Sequence, residues 1–211
     1  MRTAALVLVL LLGPAEAFEI SLEPYREARR AGALGTVAGR VVAEPRTRRA
    51  PGRPFANTTI TLVPHSPSVL ATLERLKEGS RGSTKAFTAA APTMRKTLEG
   101  YERELLEAGA PDLNALVLVD HDGGFKIDDV PAGAWLLVAW HGTPVDVSSP
   151  KAKARQRDIY QPQARLQGYQ AVTVWLRDLT VGGGTTTSVE LTDRNSWFRG
   201  VVEEKVPDTG R

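Results

Sequence analysis

The stretch 120–140 constrains the fold more than any other part of this sequence. It contains two short apolar runs, 125–130 and 134–140, with a Pro-Ala-Gly corner between them and an Asp-His-Asp-Gly-Gly turn before the first. Apolar runs this short, bounded by glycine and proline, have the length of strands rather than of helices. The stretch therefore predicts consecutive β-strands joined by tight turns, as in a β-sandwich.

Five further segments have the composition of strands, namely 34–43, 55–64, 113–119, 169–176 and 185–191. Val37 and Val41 mark the first of them, and Ile60 and Leu62 alternate with threonines in the second. The total of about seven strands, without strand–helix alternation, predicts a mostly β fold. We expect an antiparallel seven-stranded β-sandwich of the prealbumin or immunoglobulin type, with an inserted α-helical hairpin.

Helical periodicity interrupts the strands at about 66–110. Ser66 is a good N-cap and Pro67 suits the first helical position, so a first helix is expected to end at Gly79. A second helix is expected from Pro92 or Thr93 to Gly109. The apolar positions of the two helices are Val69, Leu70, Leu73 and Leu76, and Met94, Leu98, Tyr101 and Leu105.

These apolar stripes need a partner surface, because a helix of this length is marginal alone in water. Two interpretations are open for the hairpin. It closes one open end of the sandwich, or it forms a lid or docking surface over a ligand cleft.

The N-terminal segment predicts export from the cytoplasm. Arg2 precedes the apolar run 4–12, Gly13 and Pro14 follow, and an Ala-Glu-Ala site ends at Ala17. This arrangement is typical of a secretory signal peptide over 1–17 and is too short to span a bilayer. We expect a mature chain from Phe18, an N-terminal arm at 18–33, the sandwich domain at 34–206 and a tail at 207–211.

Composition limits the remaining possibilities. The chain has no cysteine, which excludes disulfides, thiolate metal sites and a lipoprotein anchor. No apolar run after the signal peptide approaches the roughly 18 residues of a membrane span. With 27 Lys and Arg against 24 Asp and Glu, the surface is only mildly basic. We expect a periplasmic or secreted protein that does not bind nucleic acid.

No pattern in the sequence indicates catalysis, a metal or a cofactor. The acidic turn fails the calcium-loop template, since position 6 counted from Asp120 is Phe125 and position 12 is Pro131. His65, His121 and His141 have no metal-ligand spacing. No nucleophile elbow, phosphate loop or glycosidase-like carboxylate pair occurs. The sequence therefore predicts no catalytic, metal or cofactor residues.

Aromatic and basic residues outside the predicted core strands are the candidate ligand-binding positions. Trp140 precedes a turn and Trp197 lies near the C-terminus, where an indole ring can stack on a sugar; core packing is the alternative. Two basic loops could meet an anionic polymer, and solvated loop charge is the alternative. Their residues are Arg46, Arg48 and Arg49, with Arg53 nearby, and Lys151, Lys153, Arg155 and Arg157 in the long loop 142–167.

Three segments together resemble the carboxypeptidase regulatory-like domain, a transthyretin-like sandwich with a carbohydrate-binding-like fold. They are Val37-Ala-Gly-Arg-Val-Val, Asn57-Thr-Thr-Ile-Thr-Leu-Val-Pro and Asp122-Gly-Gly-Phe-Lys-Ile-Asp-Asp-Val-Pro-Ala-Gly-Ala-Trp-Leu-Leu. The resemblance covers roughly 35–140 and is interrupted by the helical insertion. It implies a β-sandwich and a role as an accessory or binding module.

Together these features predict a non-catalytic binding or interaction module of the bacterial cell envelope, with an envelope glycan or an envelope protein as its partner. The alternative is a structural or accessory subunit of an envelope, secretion or surface assembly. In that case the helical hairpin or the tail near Trp197 would be the docking face.

Overall fold

The structure is a computed structural model that describes residues 21–45, 52–146 and 165–206. The predicted signal peptide 1–17, the tail 207–211 and the seven basic candidate residues lie outside this description. In chain order the elements are α1 (Glu23–Arg30), β1 (Leu34–Ala43), β2 (Arg53–Pro54), β3 (Thr59–Pro64), α2 (Pro67–Gly79), α3 (Thr84–Glu107), a 3-10 turn (Pro111–Leu113), β4 (Ala115–Leu118), β5 (Gly124–Pro131), β6 (Gly133–Asp146), β7 (Arg165–Val181), β8 (Thr186–Thr192) and β9 (Phe198–Val206).

Two sheets form the predicted β-sandwich. The first contains β2, β1, β5 and β8, and the second has the order β4-β3-β6-β7-β9. All pairs are antiparallel except β1 with β8, in which Val37 lies opposite Thr187 in parallel register. This departs from the predicted antiparallel arrangement because β8 follows β7 of the other sheet and forms no hairpin with β1, so no turn sets its direction.

The prediction that 142–167 is one long loop was wrong at both ends. Strand β6 continues to Asp146 and β7 begins at Arg165, with Asp146 opposite Gly168 in the ladder. Residues 142–146 have no apolar alternation, and only their backbone pairing with β7 shows that they are part of a strand. The C-terminal segment forms β9, the strand at the edge of the second sheet opposite β4.

The core between the two sheets contains the two largest fully buried side chains, Trp135 and Trp175. Val37 and Val41 reach them from β1, and Ile60 and other inward residues come from β3. The alternation predicted for these strands therefore gives the correct inner face.

The second sheet is buried on its other face as well. Leu136 and Val138 point away from the first sheet, yet their exposed fractions are 0% and 3%. They pack with Val172 and Val174 of β7 against helices α2 and α3. The near-continuous apolar run of β6 reflects this burial on both faces. The hairpin thus lies flat on the sheet as a third layer, and of the two interpretations left open, closure of an open end does not match this packing.

Helix α3 is longer than predicted. It begins at Thr84, where the Ser83 side chain accepts a hydrogen bond from the Ala86 backbone N–H, and it contains Pro92 in its interior. An interior proline removes one helical hydrogen bond and normally ends a helix. Here Ala90, Ala91 and Met94 around it are buried against the sheet, and this tertiary packing keeps the helix continuous.

The N-terminal arm contains the short helix α1, which Tyr25 holds against the sandwich. Tyr25 of α1 is buried and its ring meets the edge of Trp135, with the ring centroids 5.0 Å apart. Its hydroxyl donates to the Ala134 carbonyl and accepts from the His65 backbone N–H. Within the described part of the chain, no helix is long and apolar enough to cross a membrane.

Candidate functional site

One side of the β4 backbone has no partner strand among the described residues. The Val119 N–H bonds the Thr58 carbonyl at 2.9 Å and the Val119 carbonyl accepts from Asn57 at 3.1 Å, so both groups of Val119 face β3. Because these groups alternate in direction along an antiparallel strand, those of Leu116 and Leu118 point away from β3. No strand within the described ranges pairs with that side. We call these outward groups, with the side chains of Leu116 and Leu118, the β4 edge.

The two leucine side chains of the β4 edge are largely exposed to solvent. Leu116 and Leu118 have exposed fractions of 60% and 62%, whereas the alternate residues Ala115 and Val117 pack against the core between the sheets. Both leucines face the same side of the sheet as the helical hairpin, which does not reach over them. Free backbone groups beside exposed apolar side chains form a template for another strand.

Trp140 lies in the same cross-strand row as Leu118, with Thr59 between them. The Arg95 guanidinium of α3 stands over its indole ring, 4.7 Å from the ring centroid. The Trp140 Nε1 atom is buried and has no hydrogen-bond partner among the described residues. The predicted binding residue Trp140 is thus half-buried beneath helix α3, with strand β3 between it and the β4 edge.

Glu102 of α3 lies beside the start of β4. It accepts a hydrogen bond from the side chain of Asn114, which directly precedes β4. Burial raises the pKa of the Glu102 carboxyl, the Asn114 hydrogen bond lowers it, and the charge of Glu99 raises it. Helix α3 therefore crosses the second sheet, from Ala91 beside Gly200 of β9, over Trp140 of β6, to Glu102 at the start of β4.

The second predicted tryptophan, Trp197, directly precedes β9 and packs against the helical hairpin. Trp197 donates from Nε1 to a Glu74 carboxylate oxygen at 2.6 Å, and the Lys77 ammonium lies 4.8 Å from its ring centroid. Both partners belong to α2. The structure does not bring Trp197 and Trp140 into contact.

The acidic turn is a tight turn, but it joins β4 of the second sheet to β5 of the first and so forms no hairpin. Asp120 accepts from the backbone N–H groups of Asp122 at 2.9 Å and Gly124 at 2.7 Å, and Gly123 has a φ of 85°. Among the described residues, no group of three or more His, Asp or Glu side chains could hold a metal. The carboxylate of Asp120 therefore caps its own turn.

His141 faces the core between the sheets beside Phe55. The Thr58 hydroxyl donates its one hydrogen to the Phe55 carbonyl at 2.6 Å. The His141 Nδ1 lies 3.1 Å from the Thr58 hydroxyl oxygen and must therefore be the donor to it. Burial, with a smaller contribution from the Arg53 charge, lowers the pKa of His141. The neutral imidazole is the form that the fold favours.

We expect acid to weaken the fold through His141. Because its pKa is lower folded than unfolded, its contribution to stability is complete above about pH 6.5 and is lost as pH falls toward the folded value. NMR titration of the imidazole should give a midpoint below about 6.5, the value of an unperturbed histidine. His141→Gln should flatten the loss of unfolding free energy on acidification; an unchanged pH profile would contradict this role.

The sequence singled out Trp140 and Trp197 but missed Leu116, Leu118 and Arg95. From Ala115 to Val119 every residue is apolar, so the sequence pattern does not show which face of the strand is open. Only the position of β4 at the sheet edge reveals that its leucines are exposed.

Fold and site together define a β-sandwich whose second sheet carries a helical hairpin on its outer face and ends in an open strand. No family model matches the chain, and no curated protein matches it. A solved protein from Pseudomonas aeruginosa, described as a candidate carbohydrate-binding protein, is similar at a TM-score of 0.40 with 12% identity over 83% of this chain and 99% of that one. A minor pilin of Streptococcus agalactiae is similar at 0.30 with 11% identity over 85% of this chain, which spans about half of the pilin (47%).

Proposed function

We propose that this chain is a non-catalytic interaction module of the bacterial envelope that binds an extended segment of a partner protein at the β4 edge. The observation that carries the proposal is the coincidence of unpaired backbone groups with exposed Leu116 and Leu118. Adding a strand satisfies the backbone groups and covers the leucines at once. The predicted signal peptide supports a periplasmic or secreted location.

The energy available at this edge suits a weak to moderate complex. Leu116 and Leu118 offer two N–H donors and two carbonyl acceptors, and each bond made there contributes about 0.5–1.5 kcal/mol net. The exposed leucine surface adds about 25 cal/mol for each Å² that the partner covers.

Charges around the edge favour a basic partner. Asp120 and Asp122 lie beyond one end of β4, and Glu102 lies at the other. An extended segment that alternates apolar and basic residues would match both the leucines and these carboxylates.

A glycan bound at Trp140 or Trp197 is the second candidate ligand. The observation that favours it is the buried Trp140 Nε1, which has no hydrogen-bond partner among the described residues. A sugar stacks on an open indole face. In this structure Arg95 stands over the Trp140 ring and Lys77 over the Trp197 ring. A glycan would have to displace a cation from either ring, whereas no described residue pairs with the β4 edge, so the geometry favours a protein strand.

We expect a seven-residue blocked peptide of alternating Lys and Val to bind the intact protein with a Kd of about 10–500 µM, measured by fluorescence anisotropy. The Leu116→Lys/Leu118→Lys double variant should weaken binding at least about tenfold, because it removes the apolar surface and adds repulsion.

The control ligand is the same peptide with N-methyl groups on alternate residues, which cannot donate to the edge. Phe87→Lys, which alters another exposed apolar residue on the first turns of α3, serves as the control variant. Equal binding of both peptides, or equal affinity of the double variant, would exclude strand addition. Binding of envelope glycans that is lost in Trp140→Ala alone would favour the glycan instead.

A further inference from the structure

The β4 edge is complementary to a second copy of itself. Consider a two-fold axis that passes beside Val117 and brings two β4 strands together antiparallel. Leu116 then lies opposite Leu118 of the second copy, and Leu118 opposite Leu116. Since the backbone groups of both leucines point outward, these are the hydrogen-bonded positions of the new ladder, and all four bonds form. No outward group of either leucine is left unpaired.

The side chains match in the same register. The four leucines of the two copies meet on the outer face, where each alone is about 60% exposed. No charged residue occurs between Leu113 and Val119, so no like charges meet within the paired segments. The two second sheets become one continuous ten-stranded sheet, twice the five strands of each copy.

Charge at the rims keeps the dimer weak. With Val117 at the axis, Asp120 of one copy lies toward Asn114 of the other, whose side chain hydrogen-bonds Glu102. Carboxylates of the two copies therefore approach each other at both rims. Their repulsion opposes the pairing of the neutral segments 113–119, so the backbone bonds and the leucines must hold the two copies together.

We infer that the chain forms a symmetric dimer through the β4 edge, with Val117 beside the two-fold axis. This inference rests on the proposed function and names the partner strand as β4 of a second copy. The shared edge is short, so the dimer is expected to dissociate on dilution.

The first test is the mass of the intact protein by light scattering. It should rise from that of one chain toward twice that value between about 1 and 200 µM. Leu116→Lys/Leu118→Lys should stay monomeric at the top of this range, since it places four ammonium groups across the axis. Phe87→Lys, on the part of α3 that packs near β9 at the opposite sheet edge, should dimerise like the parent.

A disulfide test fixes the register. The chain has no cysteine, so Val117→Cys introduces a single thiol. Opposite residues at a non-hydrogen-bonded position have Cα atoms about 4.5 Å apart, which a disulfide spans. Mild oxidation should link Val117→Cys into dimers at least about fivefold faster than Leu116→Cys, whose thiol is offset from its own mate. Circular dichroism of the reduced variants checks that each is folded.

A parent protein that remains monomeric at about 200 µM, with equal crosslinking of both cysteine variants, would overturn the dimer. If the Lys–Val peptide still bound the edge, the proposed function would stand without self-association. If neither the peptide nor a second copy bound, both proposals would fall.

Discussion

Replacing Trp175 by alanine should lower the free energy of unfolding by about 3–5 kcal/mol, the usual loss for a large aromatic residue in a core. Trp175 is fully buried between the two sheets and its ring meets Phe55 edge-on, with centroids 5.5 Å apart. Its Nε1 donates to the Thr192 carbonyl at 2.6 Å, which ties β7 of one sheet to the end of β8 in the other. The variant loses the buried area, the ring contact and this bond between sheets. Urea unfolding followed by circular dichroism measures the change.

Trp197→Ala is the matched control. Its ring is only half-buried and rests on the surface of α2. We expect a loss of about 1–2 kcal/mol there, from the hydrogen bond to Glu74 and the partial burial. The packing implies that the sandwich depends on Trp175 more than on Trp197. Equal losses in the two variants would contradict this.

The inner layer of the fold could be predicted from sequence because its periodicity is local. Alternation in β1 and β3 assigns Val37, Val41, Ile60 and Leu62 to one face, and all four are fully buried. The predicted bounds of α2 are also correct, because Ser66 and Gly79 are local signals for the start and the end of a helix. These elements follow from residues within a few positions of each other.

The third layer could not be predicted in the same way. An apolar run such as that of β6 requires a partner on each face but does not say which element supplies it. The start of α3 was misplaced because Pro92 is a strong local signal for a helix boundary, and packing of Ala91 and Met94 against the sheet outweighs it. The β4 edge was missed for a related reason, since exposure of Leu116 depends on which strand ends the sheet.

Introducing a carboxylate beneath the hairpin tests the third layer directly. Met94 of α3 is 1% exposed and packs in the cluster with Val138 and Val174. Met94→Asp removes that packing and buries a group with no cation in the cluster to pair with it. We expect the free energy of unfolding to fall by more than about 4 kcal/mol at pH 7, which would leave the variant largely unfolded or with the hairpin detached.

Thr93→Asp is the control, because it places the same side chain one residue earlier on the exposed face of α3. It should change stability by less than about 0.5 kcal/mol. The pH dependence identifies the cause. Burial raises the folded pKa of the introduced carboxyl above its unfolded value of about 3.9, so the penalty is smallest below that pH and grows as pH rises. A loss at pH 7 no larger than that of Thr93→Asp would mean that the hairpin is separable from the sheet, and the lid interpretation would replace the third layer.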